Sequence, residues 1–226
     1  MSARLHFIVE GQTEEIYVNR VLKPHFAPLS IWCNARCIMT SRTRGIKHSG
    51  GIDSYARVKT DVTRWMDNDK NSDAHFTTMI DLYALPTDFP GFSESRKIND
   101  PRQRVVFLES AFRKDIGHPH FYPYIQLHEF EALLLADPKN LDWHFINHEQ
   151  AILSLISMAS GFPSPELIDD GKETAPSKRI IKEIPEYEGK KTSAGPLVAE
   201  KIGLQLLRTK CVHFGEWLKT LEAIFQ

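Results

Sequence analysis

Two short apolar runs, each stopped by a single acid, constrain this chain most. Leu5-His6-Phe7-Ile8-Val9 ends at Glu10-Gly11, and the run from Phe76 to Ile80 ends at Asp81. Short runs rich in strand formers and bounded by polar or glycine residues read as buried strands. Behind the first, Ile16, Val18, Val21, Leu22 and Phe26 fall at helical spacing over residues 12–26. Thr13 is the expected N-cap, with Glu14 and Glu15 in the first turn, where the helix dipole favours carboxylates. A strand running straight into a helix opens a βα unit. The pattern continues with a strand over 29–39, a helix over 53–66, a helix over 102–116, a strand over 121–126 and a short helix over 129–136. Strands alternating with helices imply an α/β fold with a parallel sheet flanked by helices.

Beyond about residue 142 the strand signal fades. Residues 149–159, 176–183, 196–207 and 214–225 all read as helices, so the expected organisation is an α/β domain over 1–140 and a helical C-terminal extension over 141–226. With 226 residues, 42% hydrophobic and 25% charged, the chain has enough apolar material for a full core. A formal net charge of -1 excludes a protein that coats nucleic acid by overall charge, so any such contact must be local. The three cysteines, Cys33, Cys37 and Cys211, are odd in number and form no C-x-x-C pair, which argues against a disulfide framework or zinc site. A cytoplasmic protein is expected. No stretch approaches the roughly 18–20 apolar residues that span a bilayer, so no membrane contact is expected either.

In parallel α/β sheets, ligands bind outside the carboxyl ends of the strands, where loops converge and helix N-termini point. Glu10 and Asp81 occupy that position on separate strands, and His128-Glu129-Phe130-Glu131 follows a third. Carboxylates so grouped would repel one another unless a cation neutralised them. Oxygen ligands without cysteine point to Mg²⁺ or Mn²⁺, which activates water and stabilises phosphoryl charge. For any single acid after a strand, the alternative is a helix N-cap or a solvated turn. Glu129 and Glu131 sit two apart on a helix and point away from each other, so only one can face the cluster. Glu129 is the first choice. His128 beside it is a candidate base or simply a residue packing the helix start. The long loop over 82–101, with three prolines and Gly91, is longer than most connections in compact domains.

Val9-Glu10-Gly11-Gln12-Thr13-Glu14, Ile80-Asp81-Leu82-Tyr83 with Pro86 and Phe89-Pro90-Gly91, His128-Glu129-Phe130-Glu131-Ala132-Leu133-Leu134, and Glu173-Thr174-Ala175-Pro176-Ser177-Lys178-Arg179 together resemble the signature blocks of a bacterial family catalogued only as a domain of unknown function. That family is in turn similar to the toprim superfold of topoisomerases, primases, small ribonucleases and overcoming-lysogenization-defect nucleases. The toprim pattern has a glutamate after the first strand and an Asp-x-Asp after a later one. Glu10 matches the first and Asp81 the leading aspartate, whereas Tyr83 stands where the second aspartate would be. Asp88 or Glu129 would then supply the missing ligand, with Glu14 in reserve. The resemblance implies a toprim-like domain and Mg²⁺- or Mn²⁺-dependent cleavage of DNA or RNA. It also implies an ABC-like or AAA ATPase partner in anti-phage defence. The assignment is Glu10, Asp81 and Glu129 as catalytic metal ligands and Lys178 as the phosphate-stabilising cation. Two other readings stay open: a hydrolase of small phosphate compounds, and a non-catalytic toprim-like subunit binding an ATPase.

The cations fall in three groups. Lys178 and Arg179 flank the start of a helix, a natural phosphate site. Lys190 and Lys191 follow Gly189 in a turn, and Arg42, Arg44 and Lys47 with His48 form a glycine-rich basic loop. Arg42, Arg44, Lys47, Arg179, Lys190 and Lys191 are the expected nucleic-acid contacts, salt-dependent as phosphate contacts are. Nothing in the sequence decides between a monomer and a homo-oligomer.

Overall fold

The computed structural model of the protein describes residues 3–38, 52–168, 171 and 173–224. The basic loop carrying Arg42, Arg44, Lys47 and His48 lies outside the described residues. The chain divides into two units, residues 1–126 and 127–224.

In the first unit, β1 (Ala3–Val9) runs parallel to β2 (Ile31–Cys37) on one edge and to β3 (Ala74–Asp81) on the other. Its Leu5, Phe7, Ile8 and Val9 are buried on both faces, as the unbroken apolar run requires. Helices α1 (Gln12–Tyr17) and α2 (Lys23–Phe26) are joined by a π-helical turn, Val18–Leu22, and pack on one face, where Phe26 meets Phe7. Helix α3 (Tyr55–Asn68) covers the other, its Trp65 ring edge-on to His6 at 4.8 Å. The strand order is β2-β1-β3-β4, with β5 also pairing to β3, and every pairing is parallel. The fold is therefore α/β, with a five-stranded parallel sheet flanked by helices.

Two segments differ from the sequence expectation for local physical reasons. The loop over 82–101 carries a 3₁₀ turn, Leu82–Ala84, and the short helix α4 (Phe92–Ser95) before α5 (Pro101–Ile116) begins. Gly91 starts α4 in the left-handed region (φ 76), and a Cβ there would come within 2.8 Å of the Phe107 ring, so glycine permits this turn to lie against α5. The strand expected over 121–126 is two pieces, β4 (Phe121–Tyr122) and β5 (Ile125–Gln126). Pro123 between them has no N–H to give the ladder. The buried Thr77 and Thr78 hydroxyls fill the gap, donating to the Tyr122 and Tyr124 carbonyls at 2.6 and 2.9 Å.

The described residues of the second unit contain helices and no strand. They are α6 (Glu131–Leu134), α7 (Glu149–Ser160), α8 (Pro176–Glu183), α9 (Lys191–Ile202), α10 (Leu204–Lys210) and α11 (Val212–Ala223), with 3₁₀ turns between several of them. The helix expected over 196–207 is split at Gly203, whose positive φ (87) ends α9, and Pro196 sits inside α9 rather than at its start. Glu166, 2% exposed, caps α11 by accepting from the His213 and Phe214 amides at 2.9 and 3.0 Å.

Helices α10 and α11 approach closely at Gly215, where a Cβ would lie 2.3 Å from the Arg208 carbonyl oxygen, a backbone atom that cannot swing aside. Gly215→Ala should lower the unfolding free energy by about 1–3 kcal/mol in a denaturant titration. Gly189→Ala, where a Cβ meets nothing within 4 Å, should not lower it.

Candidate active site

The carboxyl ends of β1 and β3 meet at two acids. β1 and β3 are adjacent and their register pairs Val9 with Met79, so Glu10 stands level with Ile80 and Asp81 follows one residue further along. The Glu10 amide continues the ladder by donating to the Met79 carbonyl at 3.0 Å, and the Glu10 carboxylate accepts from the Asp81 amide at 3.0 Å. This bond fixes the Glu10 side chain over the tip of β3. Asp81 also pairs with Gln126, whose buried amide oxygen accepts from the Tyr124 hydroxyl at 2.7 Å. Both acids are partly exposed. Tyr83, in the 3₁₀ turn that follows, is 46% exposed.

The other acids considered as ligands are engaged at helix starts. Glu14 reaches back to accept from the Gly11 amide at 2.9 Å, closing the first turn of α1. It is buried, and burial raises its pKa. Asp88 accepts from the Tyr55 amide at 3.0 Å, at the start of α3. Both belong to the first unit.

Glu129 belongs to the second unit and is committed to the N-terminus of α8. Its two oxygens accept from the Ser177 amide at 2.5 Å and the Ser177 hydroxyl at 3.0 Å. The helix start read from the sequence as a phosphate site is thus met by a carboxylate from the same unit. His128, buried and at a positive φ (62), turns the chain immediately before Glu129. A non-glycine residue held there carries strain of about 1–3 kcal/mol, and the surrounding contacts must offset it.

Of the cations, Lys178 is exposed on α8. Arg179 donates from Nε to the Thr174 carbonyl at 2.7 Å and lies over the Phe162 ring. Lys190 lies over the Phe145 ring at 5.6 Å, and Lys191 pairs with Glu131 at 3.8 Å. These three therefore serve contacts within their own unit. Glu131 is 6% exposed and accepts from the Tyr187 hydroxyl at 3.1 Å. Burial, and then the nearby Glu129 charge, push its carboxyl up to about 7. Glu166, the cap of α11, was not singled out in the sequence. Its place between Pro165 and Leu167 gives no capping signal, because the amides it serves are 47 and 48 residues away.

Among the described residues, no group of three or more His, Cys, Asp or Glu side chains is placed to hold a metal ion. Glu10 and Asp81 offer one carboxylate each, at the ends of adjacent strands. That set fits Mg²⁺, which keeps several waters and is commonly held by one or two carboxylates together with a substrate phosphate. It does not make a cage built from protein ligands alone. Also among the described residues, no helix is long and apolar enough to cross a membrane.

Residues 9–222 match the model of a family described as Domain of unknown function (DUF4276). No curated protein and no solved structure matches the chain.

The buried Glu131 makes stability depend on pH. Its carboxyl titrates near 7 when folded and near the ordinary 4.5 when unfolded, so between these values the folded chain binds more protons and stability falls as pH rises. Chemical denaturation at stepped pH should show this loss, on the order of 1–3 kcal/mol across the window. Glu131→Gln should flatten it and be the more stable protein at pH 8.

Proposed function

The chain belongs to that family, and from this premise we propose that it is a metal-dependent nuclease hydrolysing phosphodiesters of DNA or RNA. The observation carrying this reading is the pair Glu10 and Asp81, locked together by the Asp81 N–H at the carboxyl edge of two adjacent parallel strands. Acids at this edge of an α/β sheet lie where ligands of such folds bind. Both correspond to the acids of the toprim pattern that the sequence resembles. When bound there, Mg²⁺ or Mn²⁺ would lower the pKa of a water and neutralise charge on the phosphate. Glu10 and Asp81 would hold it, substrate phosphate and water completing the set. The protein's part is to hold the two acids at adjacent strand ends before substrate arrives. Glu10 is fixed by the Asp81 amide, and Asp81 by its strand pairing to Gln126. A role as effector of an anti-phage system with an ATPase partner follows from the resemblance to overcoming-lysogenization-defect nucleases.

A second reading has its own observation. Tyr83 occupies the second position of the Asp-x-Asp pattern, and Glu14 and Asp88 are engaged at helix starts. A toprim-like subunit that binds an ATPase without catalysis would show these features.

Incubation of the purified protein with plasmid DNA and with RNA, in Mg²⁺ or Mn²⁺ and with or without the ATPase, separates the two. The nuclease reading expects cleavage that chelation abolishes and that Glu10→Ala or Asp81→Ala reduces by about 100-fold or more. Cleavage unaffected by both substitutions would remove this site from the chemistry. Absence of cleavage under every condition, with the ATPase still bound, would select the non-catalytic subunit.

A further inference from the structure

β2 presents a second face that the acid pair does not use. Its buried residues Ile31 and Cys33 lie on the side packed by α1 and α2, and the alternate residues Trp32, Asn34 and Arg36 lie on the α3 side. There α3 covers β1 and meets β2 through Trp65, whose ring lies under the Arg36 guanidinium at 4.7 Å. Trp32 is 66% exposed, although it stands on a strand in register with Arg4 of the central one. Between the end of α3 and this face is a cavity of about 470 Å³, lined by Arg4, His6, Asn34, Arg36, Trp65 and Asn68 among others. That size is within the range of small-ligand sites.

The floor of the cavity is already fixed. His6 Nε2 and an Asp69 oxygen are 2.8 Å apart, and the Asn71 side-chain carboxamide donates to the other Asp69 oxygen at 2.5 Å. Arg4 pairs with Asp69 at 3.5 Å and with Asp73 at 2.5 Å, so its charge is balanced. Among the described residues no carboxylate pairs with Arg36, and the Asn34 and Asn68 carboxamides make no hydrogen bond. Above this floor the walls offer the Arg36 guanidinium, held over the Trp65 ring without a carboxylate partner among the described residues, and two carboxamides, while Trp32 continues the same strand face just outside the cavity.

Each of these groups recognises a different part of one kind of molecule. A guanidinium edge grips a phosphate in bidentate fashion. A carboxamide presents a donor beside an acceptor, the pattern of a base edge. An exposed indole stacks a base. A polyanion would need a row of cations, whereas a guanidinium without a carboxylate partner, the single one among the described residues lining this cavity, suits a single phosphate. Trp32 to Arg36 spans about 13 Å along the strand, which accommodates a base, its sugar and one phosphate.

We propose that this face of β2 binds one nucleotide unit, with its base stacked on Trp32, the base edge read by Asn34 and the phosphate held by Arg36. The site does not rest on the reading of Glu10 and Asp81. Its phosphate end nevertheless lies toward them: Arg36 is level with Ile8, so Glu10 is two residues, or about 7 Å, further along the strand direction. The same chemistry is offered by a free mononucleotide and by one unit of a single-stranded nucleic acid.

Titration calorimetry decides it, run in chelator on the Glu10→Ala, Asp81→Ala double variant so that loss of cleavage cannot affect the result. The ligands are AMP, GMP, CMP, UMP and single-stranded DNA and RNA hexamers. At least one should bind with a Kd in the micromolar to low-millimolar range. Arg36→Ala and Trp32→Ala should each weaken that binding by about tenfold or more, and Trp32→Phe should largely retain it. Both positions are exposed, and a thermal melt of each variant confirms the fold. A hexamer bound much more tightly than any mononucleotide identifies single-stranded nucleic acid as the source, and equal affinities identify the free nucleotide. No binding of any ligand at several times this range, or Arg36→Ala or Trp32→Ala binding within about twofold of the parent, would overturn the proposal.

Discussion

The first unit is registered on β1. Buried on both faces and hydrogen-bonded on both edges, this strand has no freedom to slip, since a shift of one residue would exchange every side chain between the α1–α2 face and the α3 face. Two consequences follow from the same register. At its carboxyl end it sets Glu10 level with Ile80, within reach of the next amide, so that the Asp81 N–H holds the Glu10 carboxylate. Along its length it sets His6 under Trp65 and in line with Asn34, which builds the floor of the β2 cavity. The candidate active site and the proposed nucleotide site are thus two ends of one geometric constraint.

Carboxylates elsewhere in the chain are distributed by another need. The first amides of a helix have no partner within it, and a negative group near them also meets the positive end of the dipole. Glu14, Asp88, Asp100, Glu129 and Glu166 each answer this at a different helix, across 3 residues for Glu14 and 48 for Glu129. Glu10 and Asp81 sit instead at strand ends, each residue partly exposed. That contrast, more than acidity as such, distinguishes them as candidates for chemistry.

Strand and helix identities were largely legible in the sequence, because both faces of β1 and β3 are buried and their residues are mostly apolar or strand-forming. Helix α8 spans the residues its pattern predicts, since Pro176 marks a start that the proline ring favours. The break between β4 and β5 was legible in principle from Pro123, but the repair by Thr78 was not, because it depends on a hydroxyl 46 residues away. The start of α9 before Pro196 also escaped, since proline fits a helix interior only where neighbouring contacts tolerate its missing bond. On β2, the alternation of Ile31 and Cys33 with Trp32, Asn34 and Arg36 was written in the sequence. The aromatic in the exposed phase was the signal.

The sequence by itself determined that two apolar strands end in Glu10 and Asp81, that helices alternate with them, and that the C-terminal part is helical. These follow from local periodicity and from which residues tolerate burial. Tertiary structure alone decided which acids close helix starts and which stand at strand ends, because a carboxylate's partner is chosen by the amides that folding brings within reach. Glu129 and Glu10 look alike after their strands, yet one closes the N-terminus of α8 and the other accepts from the Asp81 amide of the neighbouring strand.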